Sequence, residues 1–275
     1  MQTRSHEFFE EEQEVDLLKM EILTDEYLTV YRKKYGKKLN SYFKEFDKGS
    51  DSNNFDYYLE SSAVYSSNIE GNTIDLNSFM NSKFLRIKKS NKEHKEIVDL
   101  IEAYKFAERY TLNEKNFLKA HGILSKHILI RSKQGIYREE KIGVFDAGGL
   151  VYLAVEPEYV KSEIKKLFND IKYLKQSESS LEEIFYYASM IHLILAHIHP
   201  FMDGNGRAAR LAEKWFLSVK LGKIMWEIKS EKYYFENRSK YYRNINMGSD
   251  YYELNYNKCF PFLEMLIKSL KNNKH

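Results

Sequence analysis

Apolar residues recur at helical spacing along most of this chain. "FFEEEQEVDLLKMEILTDEYLTVYRKKYG" carries them on one face and predicts a helix ending at Gly36. "SDSNNFDYYLESSAVYSSNIEG" offers Ser, Asp and Asn as caps and predicts a helix stopped by Gly71. "NKEHKEIVDLIEAYKFAERY" and "NEKNFLKAHGILSKHIL" predict two more. The pattern then changes: "KIGVF", a "DAGG" turn and "LVYLAV" predict a β-hairpin. Pro157 stands where the first turn of the next helix tolerates proline. "SLEEIFYYASMIHLILAHI" is apolar nearly all round and predicts a buried central helix that Pro200 brings to an end. A further helix starts near Arg207 and two Tyr-rich helices close the chain. The expectation is one mainly α fold with a single hairpin. Residues 1–90 would form an N-terminal helical region and 91–275 the core.

Composition narrows the class. Hydrophobic content is 43% and there are only three prolines, which suits long helices around a sizeable core. Net charge is +3, so no general electrostatic affinity for nucleic acid is expected. Cys259 is the only cysteine, which removes an intrachain disulfide and any cysteine-based metal site. The acidic start of the chain is unlike a signal peptide, and "MIHLILAHI" is too short to span a bilayer. These features lead us to expect a cytoplasmic protein without membrane partners.

The chemistry concentrates in "HIHPFMDGNGRAAR", His197 to Arg210. Glycines bring backbone close to a ligand, and the helix that follows points unpaired N–H groups into the loop, which makes an anion site. Arg207 and Arg210, three apart, share a face of that helix and match phosphate oxygens. Asp203 is a hard oxygen ligand of the kind that holds Mg²⁺ together with substrate phosphates. His199 titrates near neutrality and can take a proton from an attacking hydroxyl. Together these parts point to phosphoryl or nucleotidyl transfer. His192 and His197 lie about 140° apart round a helix of ~3.6 residues per turn, a poor chelating angle, so they are expected in the core, bonded to backbone.

"HPFMDGNGRAAR" resembles the Fic-domain signature, H-P-F-x-D/E-G-N-G-R-x-x-R, at every defined position. The resemblance implies a helical fold with a small hairpin flap and transfer of AMP from ATP to a protein Ser, Thr or Tyr hydroxyl. It also implies roles for the residues. His199 would be the base and Asp203 the Mg²⁺ ligand. Gly204, Asn205 and Gly206 would form the anion hole, Arg207 and Arg210 would grip the polyphosphate, and Phe201 would wedge the loop.

Two further stretches extend the likeness. "SSNIEGN" resembles the family's inhibitory motif, with Ser66, Glu70 and Gly71 matching. Its place before the core, on the helix at about 55–71, is the arrangement called class II, and the resemblance names Arg210 as the partner of Glu70. "NRSKYYRNI" resembles the R-x-x-Y-Y segment that borders the nucleotide base, with Tyr241 and Tyr242 in place; Gly248-Ser249 stand where some relatives carry Ala-Asn. In the hairpin, Ile142, Gly143 and Val144 are a candidate edge for main-chain pairing with a target segment. The expected function is therefore autoinhibited protein AMPylation, including self-modification. Removal of AMP at the same site and a non-catalytic nucleotide-binding module are the alternatives. Residues 1–50 are a candidate surface for self-association.

Overall fold

A computed structural model describes residues 20–48, 54–85, 91–146 and 148–271. Among these residues there are eleven α-helices and one two-stranded antiparallel hairpin. In order they are α1 (Leu28–Lys48), α2 (Phe55–Ile69), α3 (Leu76–Phe84), α4 (Lys92–Arg109) and α5 (Glu114–Leu124). The hairpin strands β1 (Gly143–Asp146) and β2 (Gly149–Leu153) follow. Then come α6 (Pro157–Gln176), α7 (Leu181–Ile198), α8 (Asn205–Leu221), α9 (Ser230–Glu236), α10 (Arg238–Ile245) and α11 (Phe260–Lys271). No helix is long and apolar enough to cross a membrane among the described residues.

The expected central helix is α7. It is buried on nearly every side and packs against α8, α1, α11 and α6. A capping box starts it. The Ser180 hydroxyl accepts the Glu183 N–H at 3.3 Å, and the Glu183 carboxylate accepts the Ser180 N–H at 2.7 Å. Pro157 occupies the first turn of α6, as expected. The helix α2 lies across α4, α8 and α9, so its C-terminal end is delivered to the start of α8.

The first helix departs from its expected limits. Its stretch before Met20 lies outside the described residues, and Met20 to Tyr27 is not helical. Here the amides of Glu21, Ile22 and Leu23 donate to the Asp170 carboxylate at 2.7–2.8 Å. Donors turned onto a distant carboxylate cannot close a helical ladder. Gly36 does not end α1 but sits inside it, close to Glu182 at the start of α7, where a bare backbone allows the helices to approach. The chain also contains α3, which the periodicity did not predict, and it closes with α9, α10 and α11 rather than two helices. Tyr-rich stretches broken by short 3₁₀ turns obscure that division.

Candidate active site

The loop between α7 and α8 is built by conformations that its sequence makes available. His199 ends α7 in the left-handed region, φ 51°, the only non-glycine residue with positive φ among those described. Gly204, at φ 82°, is the N-cap of α8. Between them Phe201 is fully buried, its ring stacked on His121 at 3.4 Å and 4°. Asn205 braces the same residue, accepting the Phe201 N–H and donating to the Phe201 carbonyl, both at 2.8 Å. The wedge expected of Phe201 is thus visible as packing.

Two residues absent from the sequence reading hold this loop. His121 accepts the Gly135 N–H at 3.1 Å and donates from Nε2 to the Asp203 carbonyl at 2.9 Å. Burial pushes its pKa down to about 4, so the ring stays neutral and can keep both bonds. Arg138 is 2% exposed and donates to the carbonyls of His199 at 2.7 Å, Glu140 at 2.8 Å and Ile198 at 3.2 Å, and also to Val155. It therefore ties the end of α7 to both stems of the hairpin. Helical periodicity carries no signal for either residue, because their partners are distant in sequence.

His199 lines a cavity of about 530 Å³ together with Glu70, Gly206, Arg210, Tyr241 and Tyr242, with Val144 and Phe145 on the hairpin side. Its Nδ1 lies 3.2 Å from the Ala196 carbonyl, an acceptor only, so that nitrogen carries the hydrogen and Nε2 is left as the basic atom. Burial lowers the His199 pKa, which keeps the ring in its neutral, proton-accepting form at pH 7.

The arginines differ. Arg210, 1% exposed, donates from Nε to the Ser66 hydroxyl at 2.9 Å and from Nη1 to the Tyr241 hydroxyl at 3.0 Å. Its Nη2 donates to the Ser66 carbonyl at 3.0 Å and to Glu70 Oε1 at 2.6 Å. Arg207 makes longer contacts, 3.4 Å to Glu96 and 3.7 Å to Asp203, and its buried Nε has no partner among the described residues.

Glu70 is the C-cap of α2 and its carboxylate lies against Gly206, where a Cβ would run into it. That position is the N-terminus of α8, whose first amides have no intrahelical acceptor and favour negative charge. Burial alone would push the Glu70 carboxyl up. The charges of Arg210 and Arg207, the Arg210 hydrogen bond and His199 outweigh it and hold the group below the ordinary carboxylate range.

The other expected residues are more dispersed. Asp203 is exposed and caps its own loop, accepting the Gly204 N–H at 2.5 Å. Neither Asp203 nor Arg207 is in the cavity lining. The Tyr241 ring is 2% exposed and its hydroxyl is taken by Arg210 and His192. Tyr242 is half-exposed and donates to the Ile69 carbonyl at 2.9 Å. His197 bonds the Ile245 carbonyl, as a core histidine should, but His192 is bonded to the Glu213 and Tyr241 side chains instead of backbone. Val144 is on the hairpin, just before an irregularity in the β1–β2 register. The outer edge of β2 is partly closed, since Leu153 donates to the Ser249 carbonyl at 2.9 Å.

A helical core, a flap-like hairpin and a histidine–glycine–arginine loop at a helix N-terminus define a class of folds that comparison makes specific. Residues 111–217 match the model of the Fic/DOC family. The chain is 27% identical over 214 residues to a protein adenylyltransferase Fic of Nematostella vectensis, covering 74% of this chain and 45% of that protein. It is 32% identical over 156 residues to a protein adenylyltransferase Fic of Aedes aegypti, covering 54% of this chain and 30% of that protein. It thus spans less than half the length of these curated relatives. Its fold is that of a Fic family protein from Desulfovibrio desulfuricans G20, with TM-score 0.69, 19% identity, and 92% of this chain and 74% of that one covered. A structure of Fic-1 from C. elegans gives TM-score 0.64 at 21% identity, covering 89% and 72%.

Proposed function

We propose that this protein transfers AMP from ATP to a Ser, Thr or Tyr hydroxyl of a protein target and of itself, and that Glu70 restrains the reaction. The observation that carries the reading is the pairing, in one cavity, of His199 with its Nε2 free to accept a proton and the α8 N-terminus bearing Arg210. The similarity to proteins named adenylyltransferases supports the same chemistry.

In this reading the target hydroxyl oxygen attacks the α-phosphorus of ATP. Its proton passes to His199 Nε2, the P–O ester forms, and the bond to pyrophosphate breaks. The Arg138 clamp on the His199 carbonyl keeps the imidazole aimed into the cavity. The amides at the start of α8 receive phosphate charge, and Arg207, with its unpartnered Nε, takes an outer phosphate. Asp203 suits Mg²⁺, because one exposed carboxylate beside substrate phosphates is its usual protein contribution. The bound ion would neutralise polyphosphate charge.

Glu70 supports the restraint. It occupies Arg210 and the helix terminus, where an outer phosphate would otherwise bind, and it arrives from α2, outside the matched stretch 111–217. The position of Glu70 in the same cavity as His199 also suits a second activity, in which it orients a water to remove AMP from a modified protein.

Incubation with ATP labelled at the α-phosphorus, in parallel with ATP labelled at the γ-phosphorus, tests the transfer. Label should enter protein from the α position alone. Label entering from the γ position would make the protein a phosphotransferase and overturn the proposal.

A further inference from the structure

Arg210 is held from two sides. Ser66 and Glu70, both from α2 and its cap, take Nε and Nη2, whereas Nη1 is held by Tyr241 on α10. The Tyr241 oxygen accepts from Arg210, so its own hydrogen is free for His192 Nε2, 2.9 Å away. His192 then carries its hydrogen on Nδ1 and gives it to Glu213 Oε2, also at 2.9 Å. The Tyr234 hydroxyl donates to the same carboxylate at 3.0 Å. The hydrogens of Tyr241, His192 and Tyr234 each have an acceptor, and His192, Glu213, Tyr234 and Tyr241 are at most 2% exposed.

We infer that Tyr241, oriented by His192 and Glu213, is a positioning residue that aims Arg210 at the outer phosphates of the nucleotide from the side opposite to α2. The inference rests on the proposed transfer and on Glu70 occupying the site of an outer phosphate. When phosphate replaces Glu70, the α2-derived hold on Arg210 weakens by one hydrogen bond. The Tyr241 bond is untouched, because its supports come from α7, α8 and α9. A guanidinium fixed at Nη1 keeps its planar fork in one orientation, and less freedom is lost when the phosphate arrives. Tyr241 therefore acts on the polyphosphate side of the site and not on the base, even though it is the first tyrosine of the Tyr-Tyr pair. Its neighbour Tyr242, half-exposed in the cavity, is left to face the base.

The test is nucleotide binding by the full chain carrying Glu70→Gly, which frees the phosphate position. Tyr241→Phe, added to that parent, removes one oxygen and leaves the ring in place. ATP affinity should fall about tenfold, or ~1.4 kcal/mol, while AMP affinity stays within threefold. His192→Leu should give the same ATP-selective loss. His192→Gln, which retains an acceptor toward Tyr241, should recover most of it. Equal losses for ATP and AMP in Tyr241→Phe, or no loss for either, would overturn the inference, and neither result depends on how well the His192 variants fold. A Glu70→Gly parent that binds no ATP would instead refute the proposed function, and this inference with it.

Discussion

The two walls of the cavity are made of different material. On the wall formed by α2, α8 and α10, Arg210 and Tyr241 are at most 2% exposed, Glu70 is partly exposed, and the guanidinium makes four hydrogen bonds of 2.6–3.0 Å. On the hairpin wall Val144 is 37% exposed and Phe145 is 70% exposed, and they come from a two-stranded sheet. A saturated charged network has few alternative arrangements, and a change in one partner alters the whole. A two-stranded hairpin is marginal by itself and adapts more readily. Under the proposed transfer, the first wall would decide whether the chemistry proceeds and the second would admit different target segments.

This contrast predicts a ranking of effects. His199 lines the same cavity, and under the proposed transfer His199→Ala should lower AMP transfer by ~10²–10⁴ with ATP binding retained. Initial-rate assays alongside nucleotide titration check it; a mutant with full activity would remove His199 from the mechanism. On the charged wall, Glu70→Gly should raise self-modification by about one to two orders of magnitude, since a hydrogen bond to a charged group contributes roughly 1.5–3 kcal/mol. On the hairpin wall, Phe145→Ser should change labelling of lysate proteins by only about threefold and leave ATP affinity intact, as loss of one partly exposed apolar contact implies. An ATP affinity that fell with it would mean that the two walls are not separable.

The acid behaviour of the walls sharpens the comparison further. Glu70 has a folded pKa below the ordinary carboxylate value, so its ion pair contributes stability above that ordinary value and loses it as pH falls through the folded pKa. The Glu70–Arg210 pair should therefore keep one charge state between about pH 5 and 8. His199 is depressed from 6.5 by burial, so the acid limb of kcat/KM should lie below pH 6.5. A pH series on the Glu70→Gly protein checks this. A limb well above 6.5 would point to a different titrating group.

The backbone of the loop was legible because a short stretch carries the residues that its turns require. Glycine at 204 allows the left-handed cap, and Asn205 bonds back to Phe201 only four residues away. The Glu70–Arg210 pair spans 140 residues, and the resemblance to a known inhibitory motif, rather than periodicity, made it legible. Where support comes from tertiary partners, the sequence was mute. His121 reads as an ordinary residue of an amphipathic helix until the Asp203 carbonyl is placed beside it. Arg138 reads as a surface cation in "YREEK", yet it is buried on backbone carbonyls from three segments. The start of α1 falls later than its periodicity implies because a carboxylate on α6 competes for the preceding amides, which no local pattern records.

The proposed roles of His199 and Glu70 are both tested by the intact mass of three proteins after incubation with ATP and Mg²⁺. They are the unmodified sequence, Glu70→Gly, and Glu70→Gly with His199→Ala. Little AMP adduct is expected on the first, abundant adduct on the second and none on the third. Adduct on the third protein equal to that on the second would contradict His199 as the base. Equal adduct on the first two would contradict restraint by Glu70.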